Sequence, residues 1–322
     1  MRIRQGSSAL ACFLIVLSLL PASLPAAFGQ EPPAGKPAPD APKAAAPPED
    51  DDPATAPDEE TRKRRLLRRI LPPGQLTAEE QVEAARLSKI AAAQGNDPTA
   101  LVSRFQLTNR STALSNGRRA DTLISSAVLA LRNNWLLRVD VPQIWTDPNI
   151  PRVPNQSGVS DLFVRAGRRV FAAPGYAFFT GMDLTFPTAV LSNLGFGRYT
   201  VGPLVATARV FPNINSMLFG LIQHQTSIGG DPSRRDVEFS RFSLTLNTAW
   251  GEQWWTQVGA NSQIDWNRNN RSSMTLEFEG GRRLTPKWLA YLRPGVGLWG
   301  RDVLGAYDWQ VEVGFRRMFE SF

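Results

Sequence analysis

The stretch from Tyr307 to Phe319 alternates. Tyr307, Trp309, Val311, Val313, Phe315 and Phe319 share one parity; Gln310, Glu312, Gly314 and Arg316 share the other. Successive side chains of a strand point to opposite faces, so one face here is apolar and aromatic and the other polar and charged. A soluble β-protein would turn the apolar face into a core. A membrane barrel would turn it to lipid and line its lumen with the polar face.

Hydropathy and aromatic placement arbitrate. Mean hydropathy is −0.23, and after residue 30 no apolar run approaches the roughly 20 residues of a membrane helix. A barrel escapes such a scan because only alternate residues are apolar. From about residue 100 onward the pattern predicts twelve strands, at 101–110, 122–131, 135–145, 159–171, 176–188, 199–211, 216–228, 237–250, 254–266, 272–284, 288–300 and 307–319. Tight connections such as Arg132-Asn133-Asn134 and Thr285-Pro286-Lys287 alternate with longer polar loops such as 146–158 and 189–198. Short turns on one side and longer loops on the other belong to outer-membrane barrels. Trp135, Tyr176, Trp250, Trp254, Trp288 and Phe319 sit beside the tight turns, and Trp145, Phe186, Trp266 and Tyr307 near the long loops. Two aromatic girdles suit the two membrane–water interfaces. Strands two, six and seven carry apolar residues on both parities and resist assignment. The fold class is therefore all-β, a twelve-stranded antiparallel transmembrane barrel in the outer membrane. The strand that ends the chain at Phe322 resembles the insertion signal of Gram-negative outer-membrane proteins.

The N-terminal part reads differently. Arg2 and Arg4 precede the apolar run Leu10–Leu20, and Ala27-Phe28-Gly29 offers small residues for cleavage, so residues 1–29 read as a secretory signal. Residues 30–75 are rich in Pro, Ala and charge and cannot bury a core. Within them lies the basic block Arg62-Lys63-Arg64-Arg65 with Arg68-Arg69, a solvated run or a contact for an anionic partner such as cell wall. Residues 76–95 predict one helix, with a Thr77/Glu80 capping box, apolar positions at Val82, Leu87 and Ile90, and Gly95 as a C-terminal stop. It is Ala-rich and only weakly amphipathic; of the three placements open to it (free in the periplasm, against the barrel rim, or inserted as a plug) the first two are expected. The barrel itself is expected over residues 99–322.

The parity opposite the girdles supplies the candidate lumen residues: Arg138, Asp140, Asp161, Arg165, Asp183, Arg241, Asp265, Glu277, Glu279, Arg293, Glu312 and Arg316. Tight turns fix hairpin register approximately. Counting from them sets Arg293 opposite Glu279, Arg165 opposite Asp183 and Asp265 diagonal to Arg241, with Glu312 and Arg316 diagonal to Arg293. Such pairs would stiffen a small barrel, constrict a pore, or both.

Other chemistries find less support. The net charge is +7, yet the arginines are scattered through strands, so no nucleic-acid partner is expected. The expected partners are outer-membrane lipid and a small solute. The lone cysteine, Cys12, lies in the signal, which leaves no thiolate site. With one histidine besides, no metal or cofactor is expected. That histidine, His224, shares a face with Thr226 and not with Ser227, and no third residue completes a hydrolytic triad. An outer-membrane lipase or esterase is the minor alternative, and the chain is not expected to be an enzyme.

Several motifs carry a resemblance. They are Asn134-Trp135 running to Pro142, Gly158-Val159-Ser160-Asp161, Phe186-Pro187-Thr188, Gly195-Phe196-Gly197-Arg198-Tyr199 with Gly202-Pro203, and Trp288 with Pro294-Gly295-Val296-Gly297. Over roughly residues 125–319 the chain resembles the outer-membrane transporter family named after the meta-pathway of phenol degradation. The resemblance implies an outer-membrane barrel with uptake of small aromatic or hydrophobic compounds, and it carries over no binding residues. The expected function is passive passage of small solutes. The competing expectation is a structural barrel whose basic tail holds a periplasmic partner.

Overall fold

A computed structural model describes residues 76–97, 99–114, 117–150, 154–173, 175–300 and 303–319. The expected signal and the basic block lie outside them. Helix α1 (Ala78–Ala93) is followed by β1 (Arg104–Ala113), β2 (Arg119–Ala130), β3 (Trp135–Asp147), β4 (Gln156–Val159), β5 (Leu162–Ala173), β6 (Tyr176–Phe186) and β7 (Arg198–Phe211). Then come β8 (Ser216–Gly230), β9 (Glu238–Trp250), β10 (Trp254–Asp265), β11 (Arg271–Arg283), β12 (Trp288–Trp299) and β13 (Trp309–Met318). Apart from β4 and β5, which both pair with β3, each strand pairs antiparallel with its sequence neighbours, and β1 pairs with β13, so the sheet closes. The short β4 and the longer β5 lie end to end against β3. The barrel therefore has the twelve staves expected. Among the described residues closure leaves no full-length edge strand; only the short β4, beside the long loops, is paired on one side alone.

Several boundaries differ from the expectation, and three of the differences shape the lumen. The fourth stave is broken at Ser160-Asp161, where the chain turns aside to meet an outer loop. The first strand begins at Arg104, not Leu101, because residues 101–103 belong to a connection inside the barrel. The last begins at Trp309, so Tyr307 is free to turn inward. It is not a girdle residue: its hydroxyl donates to Glu277 Oε1 at 3.1 Å.

The outer face is apolar over most of its height. Leu107, Val141, Met182, Val205, Val258, Phe278, Leu292 and Val313 are all exposed on it. An apolar belt this continuous is foreign to soluble monomers and is what lipid requires. Trp135, Trp250, Trp254, Trp288 and Phe319 ring the short-turn end; Trp145, Trp266, Trp299 and Trp309 ring the other. Guanidinium groups stack on the first ring of aromatics: Arg282 lies 4.8 Å from the Trp254 ring and Arg317 5.5 Å from the Trp288 ring. Such stems lie along apolar surface while the charge reaches the interface.

Inside, the short-turn end is also apolar, because α1 is seated there. The helix begins as its sequence dictates: Glu80 N donates to Thr77 Oγ1 and Thr77 N to Glu80 Oε2. Gly95, at φ +67°, supplies the left-handed residue that ends it. Ala84, Leu87, Ile90 and Ala91 pack on the inward residues Ala208, Val210, Met217, Phe219 and Ala249 of β7–β9. Two alanines on that face let the helix approach the wall closely. Val82, expected among the apolar contacts, is 72% exposed. After the helix, Leu101 packs with Val128, Leu136, Phe179, Leu204 and Ala206, and Val102 with Trp255, Leu289, Tyr291 and Met318. The helix is thus neither free nor on the rim: with the segment to Ser103 it forms a plug.

Glycines let rings lie flat against this wall. Gly281 faces Trp255 and Gly314 faces Tyr291 across their strand pairs. A Cβ on Gly281 would lie 2.0 Å from the Trp255 ring, and one on Gly314 2.2 Å from the Tyr291 ring. Neighbouring Gly280 points outward with nothing within 4 Å of such a Cβ. Gly281→Ala should destabilise the folded barrel by about 1–3 kcal/mol through overpacking. Gly280→Ala should be neutral or stabilising by up to about 1 kcal/mol. Urea unfolding of the refolded protein checks both.

Candidate functional site

Above the plug the lumen is polar, and its charges form two systems on facing walls. The larger spans β10–β13 and β1. Glu279 and Arg293 stand opposite each other on β11 and β12, and Arg293 Nε donates to Glu279 Oε2 at 2.9 Å. Glu312, on β13, is directly opposite Arg293 and not diagonal to it; the Arg293 Nη1–Glu312 Oε1 distance is 3.2 Å. From the other side Arg110 of β1 donates to Glu312 Oε2 through Nε (2.9 Å) and Nη2 (2.7 Å). Trp255 Nε1 gives 2.7 Å to Glu279 Oε1, and Tyr291 hydroxyl 2.8 Å to Glu312 Oε1. Both carboxylates are buried, and each is held by two arginines and an aromatic donor. Leaving either unpaired would cost several kcal/mol, roughly 3–5 for a buried pair losing one partner.

Arg316 extends this system down to the plug. Its Nη2 lies 3.4 Å from Glu279 Oε2, its Nε donates to Gln106 Oε1 at 3.2 Å, and its plane covers the Tyr291 ring at 4.2 Å. Nη1 donates to the Gln94 carbonyl (2.9 Å) and to Asn96 Oδ1 (2.5 Å). The last turn of α1 has no basic residue of its own. A helix C-terminus carries orphan carbonyls and partial negative charge, and here the barrel wall supplies the cation. Asn96 also donates to Asn247 Oδ1 of β9 at 3.0 Å. In the following turn Asp97 accepts from Thr99 N (2.7 Å) and Oγ1 (2.6 Å), while burial pushes its carboxyl upward.

The facing wall holds two bidentate pairs. Arg165 grips Asp183 across β5 and β6, with contacts of 2.6 and 2.8 Å, and Gln223 donates to the same carboxylate at 2.6 Å. Arg138 grips Asp140 two residues on in its own strand, at 2.8 and 2.7 Å.

Three candidates behave otherwise. Asp265 is not paired with Arg241: it meets Arg268 at 3.3 Å in the turn that follows it, while Arg241 reaches Gln263 Oε1 at 3.4 Å. Among the described residues Glu277 joins no arginine; it accepts from Tyr307 and from Gln310, each at 3.1 Å. Asp161 is not a lumen charge at all. Its carboxylate accepts Ala189 N at 3.1 Å and Phe196 N at 2.5 Å. Thr188 Oγ1 accepts Leu162 N at 2.9 Å, and Arg234 Nη2 donates to Gly195 O at 2.7 Å. A Cβ on Gly195 would lie 2.3 Å from Asp161 Oδ1, so the loop passes where a side chain could not. Three of the sequence motifs thereby meet in space as one clasp at the long-loop rim. Leu304, in the loop between β12 and β13, bends in far enough for its carbonyl to take Gln263 Nε2 at 2.6 Å.

Sequence reading missed Arg104, Arg110, Trp255 and Tyr291. The first two alternate with Gln106 and Thr108 on β1, a pattern open to the same parity argument. Their partner strand, however, is β13, some two hundred residues away, and no turn sets that register.

Two cavities among the described residues lie in the lumen. The outer, about 450 Å³, is lined by Arg110, Arg241, Glu277, Tyr307 and Gln310 among others. The inner, about 170 Å³, has Arg110 in common with it and ends on Gly95 and Asn96 of the plug. His224 faces outward. Its Nδ1 lies 3.0 Å from Ser240 Oγ, which also accepts Trp266 Nε1 at 3.0 Å. Ser227 is engaged elsewhere, with Asp236 and Val237. Among the described residues no group hydrogen-bonds the other ring nitrogen, so no triad is assembled there.

No family model matches the chain, and no curated protein matches it. Among solved structures it is similar to an outer membrane channel from Pseudomonas putida F1, with a TM-score of 0.54 and 13% identity over 68% of this chain and 96% of that one. Less similar are the NanC porin (TM-score 0.48, 10% identity, 68% of this chain and 99% of that one) and the KdgM porin in complex with disordered oligogalacturonate (0.46, 10%, 67% and 99%). At such identities the likeness speaks to fold, and the first of the three carries it. With the lipid-facing belt and the two girdles, it makes this chain a β-barrel of the outer membrane.

Proposed function

We propose that the chain is an outer-membrane channel for passive passage of small polar solutes, closed at its inner mouth by α1 and the segment that follows it. The observation that carries this reading is the stack of two charged cavities ending on the plug. A barrel serving only as a scaffold could fill its lumen with apolar side chains. This one keeps arginines and carboxylates in register from the outer loops down to Arg316. Passage of aromatic or hydrophobic compounds, which the family resemblance suggests, fits the wall less well: the apolar inward clusters sit at the plug. The anchoring reading depends on the basic block, which lies outside the described residues.

Solute passage then requires the plug to leave its seat, and the seat is apolar. Leu87, 3% exposed, is buried against β7–β9. Truncating a buried leucine typically costs about 2–5 kcal/mol, and a buried charge adds to it. Leu87→Asp should shift the seated-to-unseated ratio by roughly 30-fold or more. In planar bilayers the full chain is expected to open briefly and rarely and the Leu87→Asp chain to conduct for sustained periods. Val82→Asp, on the exposed face of α1, should behave as the parent does. A folded Leu87→Asp barrel that stays silent would overturn the reading.

A further inference from the structure

The charge balance of the inner cavity points to a ligand. Arg104, Arg110, Arg138, Arg293 and Arg316 all line it. Among the described residues the carboxylates that touch these arginines are Glu312, Glu279 and Asp140. Five guanidinium groups thus share three carboxylates. Arg110 and Arg293 are spent on Glu312 and Glu279, Arg138 on Asp140, and Arg316 divides itself between Glu279 and the plug. Among the described residues Arg104 has no carboxylate partner, and its buried Nε has no hydrogen-bond partner at all. An arginine in a confined lumen with no carboxylate in contact carries a desolvation cost that the protein offsets only in part, through the more distant Asp140. Arg104 also stands on β1 two residues before Gln106 and six before Arg110, all facing the same space.

We propose that this cavity is a binding site for one compact oxyanion, a carboxylate or a phosphate, held by Arg104 and by the Nη1 group that Arg138 does not spend on Asp140. The guanidinium fork matches either anion through paired donors. The cavity, at about 170 Å³, admits a small acid and not an extended chain. Its floor is the C-terminal turn of the plug, so an anion descending the lumen stops here while the plug is seated. The proposal rests on the channel reading for the route by which the anion arrives. Binding itself needs no current, so the two readings fail separately.

The test is calorimetric titration of the full chain, folded in a neutral detergent at low salt, with succinate and, separately, with inorganic phosphate. Saturable heat with at least one of them is expected, and the tighter of the two identifies the class of anion. Arg104→Gln should weaken that affinity tenfold or more, and so should Arg138→Gln, which guards against one variant misfolding. Arg282→Gln, on the lipid-facing surface, should leave it within about twofold. Arg104→Lys should recover part of the loss, since it restores charge without the fork. Absence of saturable heat with both anions would overturn the proposal. So would an affinity unchanged in Arg104→Gln with the far-ultraviolet strand signal intact. Saturable binding in a chain that never conducts would uphold the site and remove the channel.

Discussion

Barrel and plug become one structure at the Arg316 guanidinium. It lies against Glu279 in the wall, donates to Gln106 of the first strand, covers the Tyr291 ring, and closes the last turn of α1 through the Gln94 carbonyl and Asn96. Each contact supplies what another element lacks. The helix end needs a cation and has none of its own. Glu279 is buried and needs more than one positive partner. The first and last strands must meet across the seam of the barrel without a turn to guide them. A single planar group with five donors serves all of these at once, which a lysine could not.

The plug explains why part of the sequence resisted reading. Strands β2, β7 and β8 are apolar on both parities because both of their faces are buried at the short-turn end, one in lipid and the other under α1 or the chain after it. Leu204, Ala206, Ala208 and Val210 face inward on β7, and Met217 and Phe219 on β8. A strand covered on two sides loses its alternation, as strands of fully covered sheets do. That loss of alternation was itself a signal. A lumen wall that turns apolar at one end must be covered by something, and the Ala-rich helix next to β1 was available. Its weak amphipathicity suggested a free helix, but small residues were giving it close approach.

The ion pairs show the same dependence of legibility on local geometry. Arg165–Asp183 and Glu279–Arg293 could be counted from a neighbouring tight turn and are present. Glu312 was misplaced by one diagonal because the connection before β13 is long. Arg110–Glu312 crosses the barrel seam, where only closure of the whole sheet sets the register. Asp265 found a nearer arginine, Arg268, in its own turn. Asp161 has the right parity for the lumen but sits at a break in its stave, where backbone N–H groups of an outer loop satisfy it. Side-chain parity says which way a residue points, and only the tertiary arrangement says which partner reaches it first.

With α1 seated within the lumen, its two faces differ sharply in their access to solvent. Leu87 is 3% exposed and Val82 72% exposed. With Cys12 replaced by serine the chain has no other cysteine, so single cysteines at Leu87 and at Val82 can be compared in the folded full-length protein. The measurement is the rate of modification by a polar maleimide. The Val82 cysteine should react at the rate of a free thiol and the Leu87 cysteine at least about thirtyfold more slowly, limited by the roughly 2–5 kcal/mol of burial that must be undone. Equal rates at the two positions, with the barrel folded, would mean that the helix stands free and that the lumen has no plug.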